Sequence, residues 1–391
     1  LKFTLTKTVL NLLKLKTINR IWYMQVPLKV SAIKGMMFAL LLFSVQGNTK
    51  EYQTETVITG IDVPWGMVQL PDQNFLVTDR EGTLYYADLD TGKSTEIKGL
   101  PKISDRGQGG LLDIALHPDY LENGWIYLSY SSPEGKGRGD NTAIIRGKLK
   151  NFMFTQVQRI YKASPNTTSS RHYGSRLAFD KQKFLYFSIG DRGDRDTNPQ
   201  DLTLDGGKIY RLHDDGRIPH DNPFVGKEDH KSAIFTYGHR NPQGMALNPA
   251  SGQIWIHEHG PKGGDEINII GKGKNYGWPL VSYGVNYSGT KFTELTQKAG
   301  MEQPIWYWLP SIAPSGMTFV TSDKYPKWQG HLLVGSLKFG YLVLCRLDED
   351  LVLSEQLLFQ GIGRIRNVKQ MPDGFVYIAT ENNKIVRVLA D

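Results

Sequence analysis

Cysteine is all but missing: Cys345, in "YLVLCRL", is the only one in 391 residues. No intrachain disulfide can form, so an exported chain of this kind must be held by its core or by a metal. Cys345 itself sits in an apolar, strand-like run and reads as a small buried hydrophobe. Acidic residues are missing from positions 1–50, which carry eight Lys and Arg. Removing those eight cations from the chain's +7 leaves −1 for residues 51–391. The basic balance therefore belongs to the leader, and nothing argues for nucleic acid. A membrane-length apolar run is missing too. "MMFALLLFSV" (Met36–Val45) follows Lys29 and Lys34 and precedes Gln46-Gly47-Asn48. That is the layout of a secretory signal peptide, with an N-terminal membrane anchor as the other reading. Residues 1–23 precede the first methionine, Met24, and read as upstream sequence. Residues 1–48 are thus set aside, and residues 49–391 are expected to form one periplasmic or secreted domain without stable membrane insertion.

Helical periodicity is almost absent beyond the leader, whereas short β-rich runs recur between turn clusters. The recurring unit is an apolar strand, a Pro/Asp/Gly turn and a second strand rich in Tyr, Phe, Val and Ile. It appears as "WGMVQLPDQNFLVTD" from Trp65 and "GLLDIALHPDYLENGWIYLSY" from Gly110. It returns from Gly174, Gln243, Ser315 and Ile365. One copy per ~55–60 residues suits a four-stranded blade with its loops. The expected fold is all-β, a six-bladed β-propeller with four-stranded blades, and a pair of packed sandwiches is the structural alternative.

Polar groups gather just before the first strand of most copies. They are Gln108 in "RGQGGLLD", His172 in "RHYGSRLAFD", Arg240 and Asn241 in "HRNPQGMAL", and Arg364 and Arg366 in "GRIRNV". Loops leading into the innermost strands of a propeller converge on one end of its channel. Lys338, in "VGSLKFG", joins from the far end of a strand pair. Several arginines and a lysine facing one opening suit a multiply charged anion, since Arg binds carboxylates bidentately and Lys adds a point charge. Imidazole titrates near neutral pH without help, so His172 is the candidate acid or base. The histidines at 117, 213, 220 and 230 lie in turn text of low information, and no HxxxH or HExxH spacing suggests zinc. "EHGPKGGDEINIIGKGKNYGWP" combines Gly-Pro and Gly-Gly turns with Asp265 and Glu266, an oxygen-rich setting suited to Ca²⁺ but without EF-hand spacing. "IGDRGDRD" (Ile189–Asp196) reads as a turn with no assigned chemistry.

These motifs, with "GGKIYRL", "DNPF" and "RIRNV", resemble the soluble quinoprotein aldose sugar dehydrogenases of the glucose/sorbosone dehydrogenase family over roughly residues 55–390. The resemblance implies pyrroloquinoline quinone (PQQ) and Ca²⁺ as cofactors and an aldose as substrate. Oxidation would occur at the anomeric carbon, giving a lactone, with hydride transfer to PQQ and onward electron transfer to an unidentified acceptor. It makes His172 the general base and lines the PQQ site with Gln108, Arg240, Asn241, Tyr287, Ser336, Leu337, Lys338, Arg364, Ile365 and Arg366. The carbonyls of Gly260 and Pro261 would hold the Ca²⁺ beside PQQ, and Glu266 with the Tyr276 carbonyl a second, structural Ca²⁺. Arg171 stands where some members carry an acid, so no carboxylate adjacent in sequence is expected to orient His172. That favours the broader aldose-type branch over the glucose-specialised members. The rival readings are a non-catalytic extracellular ligand-binding propeller and a metal-dependent propeller lactonase, which needs carboxylate and Asn ligands in the channel.

Overall fold

The computed structural model describes residues 52–389, so the expected signal segment and its boundary lie outside the described residues. The described chain is built from six four-stranded antiparallel sheets arranged as blades. Their innermost strands are Pro64–Gln69, Leu111–Leu116, Leu177–Phe179, Pro242–Leu247, Pro314–Phe319 and Ile365–Gln370. These are the six repeats of the sequence, numbered here as blades one to six. Blade six completes itself differently. Its outermost strand, Thr54–Thr59, comes from before the first repeat and pairs with Lys384–Val388, from Thr54 opposite Val388 to Thr59 opposite Lys384. Joining the two ends of the chain in one sheet closes the ring.

Hydrophobic residues on both faces of each blade explain why the strands read as continuous apolar runs. Leu76 and Leu84 of blade one meet Ile114 and Leu128 of blade two, and Ile144 of blade two meets Leu185 and Phe187 of blade three. Comparable clusters fill every other junction around the ring. Cys345 lies fully buried in the cluster between blades four and five, as its apolar setting suggested. Burial pushes its thiol well up, so it packs as a hydrophobe.

Gly66, Asp113, Arg176, Gly244, Gly316 and Asn367 hold equivalent positions, each two residues after Pro64, Leu111, Gly174, Pro242, Pro314 and Ile365 respectively. The three glycines admit close neighbours: a Cβ on Gly66 would fall 2.9 Å from Asp113 Oδ1, one on Gly316 2.6 Å from the Asn367 Cα, and one on Gly244 2.1 Å from His257 Nε2. From blade three the Arg176 guanidinium reaches all the other blades. Nε donates to the Gln243 carbonyl at 2.7 Å, and Nη2 to the Arg366 carbonyl at 2.8 Å and Ser315 Oγ at 3.3 Å. Nη1 reaches Asp113 Oδ1 at 3.3 Å and the Trp65 carbonyl at 3.4 Å, while the group lies 3.9 Å from the Trp65 ring. Asp113 in turn takes the Leu177 amide on its other oxygen, at 2.9 Å.

Replacing Arg176 by Met keeps the volume but leaves the Asp113 charge buried and unpaired. The expected loss is ~3–5 kcal/mol of stability, read from chemical denaturation. Asp113→Asn added to Arg176→Met should recover part of that loss. Independent, additive losses would mean the pair is not coupled.

Candidate active site

His172 lies on the loop that runs from strand Met153–Lys162 to the inner strand of blade three. Its backbone is left-handed, at φ 56°, a strained setting for a residue with a Cβ. Three neighbours hold it there. Its amide donates to Gln108 Oε1 at 2.8 Å, and two residues on, the Gly174 amide donates to Asn241 Oδ1 at 3.1 Å. The third is the Arg192 guanidinium, which donates to the Arg171 and Ser169 carbonyls at 2.6 Å each and lies 3.4 Å from the Tyr173 ring. Gly190 is where the loop crosses most closely. A Cβ there would fall 2.3 Å from the His172 carbonyl oxygen.

The imidazole is oriented by a carboxylate after all. Nδ1 of His172 stands 2.7 Å from Asp191 Oδ1, in the segment that sequence alone read as a plain turn. Asp191 is almost fully buried and is itself fixed by the Gly193 amide at 2.7 Å and by Trp278 Nε1 at 2.9 Å. An ionised Asp191 accepts a hydrogen bond from Nδ1–H and leaves Nε2 as the free, basic nitrogen. Burial pushes the His172 imidazole below its ordinary value; Asp191 opposes this and the Arg240 charge reinforces it. Burial pushes the Asp191 carboxyl up, but the His172 hydrogen bond and charge, with Arg240, outweigh it and hold it low. The pair is therefore a neutral imidazole on an ionised carboxylate.

The expected cations divide into free and engaged groups. Arg240 is buried over the Trp278 ring at 5.5 Å, and only its Nη1 is occupied, by the His259 carbonyl at 3.1 Å. Lys338 is exposed with no ion-pair partner among the described residues, its ammonium 4.8 Å from the Phe339 ring. Arg364 and Arg366 are instead joined by Glu381, a residue the sequence reading did not single out. Arg364 Nε meets Glu381 Oε2 at 2.6 Å and its Nη1 donates to the Leu337 carbonyl at 3.0 Å. Arg366 meets Glu381 Oε1 through both Nε, at 3.0 Å, and Nη2, and donates from Nη1 to Gln243 Oε1 at 2.9 Å. Burial raises the Glu381 carboxyl, yet the two arginines hold it below its usual range. Ser336 is buried, with its hydroxyl donating to the Ile312 carbonyl at 2.8 Å. The Ile365 side chain packs in the core between blades five and six, so only its backbone is open to a ligand role. Tyr287 is 71% exposed and stands apart from these contacts; its neighbour Asn286 is tied to Arg195 Nη1 at 2.8 Å.

The oxygen-rich turn splits its two acids between different tasks. Asp265 is consumed structurally, accepting from the Gly260, Ile312 and Ala313 amides at 2.8–2.9 Å and from Ser311 Oγ. It thereby fixes the Gly260-Pro261 turn. Glu266 receives only Asn268 Nδ2, at 3.2 Å. Glu258 accepts His239 Nδ1 at 2.8 Å and the Arg240 amide at 2.6 Å. Glu258, Gly260, Glu266 and Tyr276 share a cavity of about 10 Å³. Burial first, and then the Glu258 charge, push the Glu266 carboxyl up to about 8. Two crowded carboxyls beside an ion-sized, carbonyl-lined space fit a hard cation such as Ca²⁺. Among the described residues no three His, Cys, Asp or Glu side chains cluster as a metal site, so a cation here needs backbone oxygens as well.

Comparison with known proteins settles the lineage. The Glucose / Sorbosone dehydrogenase family profile matches residues 61–387. This chain belongs to that family. It is 42% identical to the aldose sugar dehydrogenase YliI of Escherichia coli (strain K12) over 83% of this chain and 88% of that protein. A glucose dehydrogenase crystal structure superposes with TM-score 0.84 at 39% identity, covering 87% of this chain and all of the other. The PQQ-bound aldose sugar dehydrogenase of Streptomyces coelicolor superposes with TM-score 0.72 at 28% identity, over 87% of this chain and 99% of that one.

Chelation is expected to lower the melting temperature of the purified protein, because removing a native-state ligand forfeits its binding free energy. Scanning calorimetry with and without chelator, paired with metal analysis, reads this out. An unchanged melting temperature with no Ca²⁺ released would remove the structural site from the account.

Proposed function

We propose that this protein is a PQQ- and Ca²⁺-dependent aldose sugar dehydrogenase acting outside the cytoplasm, and that it oxidises the anomeric carbon of its sugar to the lactone. The observation that carries the reading is the His172–Asp191 pair, with a free Nε2 and the Arg240 charge acting on it. A quinone cofactor supplies the two-electron sink, and Ca²⁺ beside it the Lewis acidity, when they are bound. The chain's own residues do the rest. His172 Nε2 accepts the proton of the anomeric hydroxyl, and Asp191 stabilises the imidazolium that results. Arg240 offers its free Nε and Nη2 to an oxyanion, in a site where Trp278 excludes water. Lys338 and the outer face of the Arg364/Arg366 pair meet carboxylates.

A non-catalytic binding propeller would have no need of a buried carboxylate fixing the tautomer of a strained histidine. A lactonase of this architecture would need acids on the axis; there the side chain at the centre is Arg176, already neutralised by Asp113. No helix among the described residues is long and apolar enough to cross a membrane.

His172→Ala should leave PQQ affinity near normal while kcat falls by roughly 10²–10⁴-fold. Lys338→Ala should do the reverse, weakening PQQ by ~1.5–3 kcal/mol with much of the rate recovered at saturation. Lys338 is the sharper probe because Arg366 also holds the fold. His172→Ala turning over an aldose at the unmodified rate would overturn the mechanism.

Proton transfer needs neutral His172, so the reactive form is present above its pKa and lost as pH falls through it. With that pKa depressed, NMR titration of the cofactor-free protein should place the His172 transition below the ~6.5 of a free imidazole. Asp191→Asn removes the one group pulling it up, so the transition should move lower still while kcat drops. A transition that stays put in Asp191→Asn would show that the carboxylate does not act on His172.

A further inference from the structure

The axial Arg176 divides the channel, and a second chamber lies on the side away from His172. It has a volume of about 410 Å³, within the ~300–1,000 Å³ range of small-molecule sites. Val68, Ala115, Ala178, Ala246, Thr318 and Lys369, each two residues beyond Gly66, Asp113, Arg176, Gly244, Gly316 and Asn367, ring its inner end. Five of the six are small and uncharged. Leu116, Phe179, Leu247, Phe319 and Met371 widen the wall toward the opening.

Lys369 is the one charged residue in this lining, and it forms no hydrogen bond or ion pair among the described residues. The carboxylate near enough to serve it, Asp113, is spent on Arg176 and the Leu177 amide. The glutamines at the rim are satisfied as well: Gln370 Oε1 accepts the Thr321 and Ser322 amides, and Gln69 Nε2 donates to Asp373 at 2.9 Å. One uncompensated positive charge is thus left at the head of an apolar funnel. Burial pushes the half-buried Lys369 ammonium below its usual range, with the Asp113 charge opposing the shift and the Arg176 charge reinforcing it.

We propose that this chamber is a second ligand site, separate from the catalytic one, for a small amphipathic monoanion. The anionic head pairs with Lys369 and the apolar body lies along the Leu/Phe/Met wall. Carboxylates with alkyl or aromatic bodies share the required chemistry.

The test uses the full chain loaded with PQQ and Ca²⁺, so that the cationic pocket around Lys338 is already filled. Decanoate and decyltrimethylammonium, alike in tail and opposite in charge, are titrated by calorimetry. Decanoate should bind at one equivalent and about tenfold or more tighter than the cation. Lys369→Met should erase that preference while leaving sugar oxidation unchanged. If that variant does not fold, Ala246→Phe, which narrows the funnel and keeps the lysine, should exclude decanoate by itself. Equal affinity for the two detergent-like ions, or decanoate binding untouched by both variants, would overturn the proposal. So would decanoate that binds only before PQQ is loaded, which would place it in the catalytic pocket.

Discussion

A single guanidinium on the axis couples the whole ring. Blades of a propeller touch only their two neighbours, so a disturbance in one junction need not be felt across the channel. Arg176 changes that, because its donors end on carbonyls or side chains of the five other blades. Its charge is answered by Asp113 alone, and the other contacts are to neutral acceptors. The cost of burying such a pair is met only when each donor has an acceptor, and here the repeat supplies them from equivalent positions. The same contacts reach the functional end. Ser315 and Gln243, held by or beside Arg176, also receive Arg366, so the hub that unites the blades also fixes Arg366, one of the residues of the proposed cofactor site.

Above that hub the site depends on loops held under tension. His172 and Arg192 both adopt left-handed backbone, which costs free energy that surrounding bonds must offset. They do so reciprocally: Arg192 ties down the carbonyls before His172, and Asp191, next to it, takes the imidazole. Two consecutive residues thus fix both the path of the loop and the tautomer of its histidine. A carboxylate supplied from nineteen residues away does what an acid at position 171 would do in a chain built otherwise, and it is better buried there.

The sequence carries the fold through its six repeats, because the apolar strand, turn and second strand recur wherever two blade faces are buried. The grouping of Gln108, His172, Arg240, Asn241, Arg364 and Arg366 was readable for the same reason, since each stands at or just before an inner strand. What stayed hidden was pairing. Asp191 looks like turn chemistry because Asp and Gly do favour turns, and only the crossing of two loops makes it a partner of His172. Glu381 sits in the turn between Val376–Thr380 and Lys384–Val388 and carries no local mark of the two arginines it joins. Arg176 was visible within "HYGSRLAFD" yet silent about direction, which is set by acceptors on the five other blades. The strand Thr54–Thr59 precedes any repeat, so its place on blade six follows from ring closure and not from its own pattern.

Placement and affinity are assigned to different cations. Arg366 is bound on nearly every donor, and Arg364 on two, so neither gains much from a ligand that it does not already have from Glu381. Their net charge together is one positive unit, held rigidly, which suits a wall that must not move when a ligand leaves. Arg240 and Lys338 are the reverse: each keeps unused donors, and each would exchange water for a ligand anion. A pocket in which every cation was free would bind its anion tightly but would repel itself when vacant. A pocket in which every cation was paired would be stable and indifferent. Splitting the roles, with His172 neutral between them, lets the fold remain intact without the ligand while still offering charge where a reaction needs it.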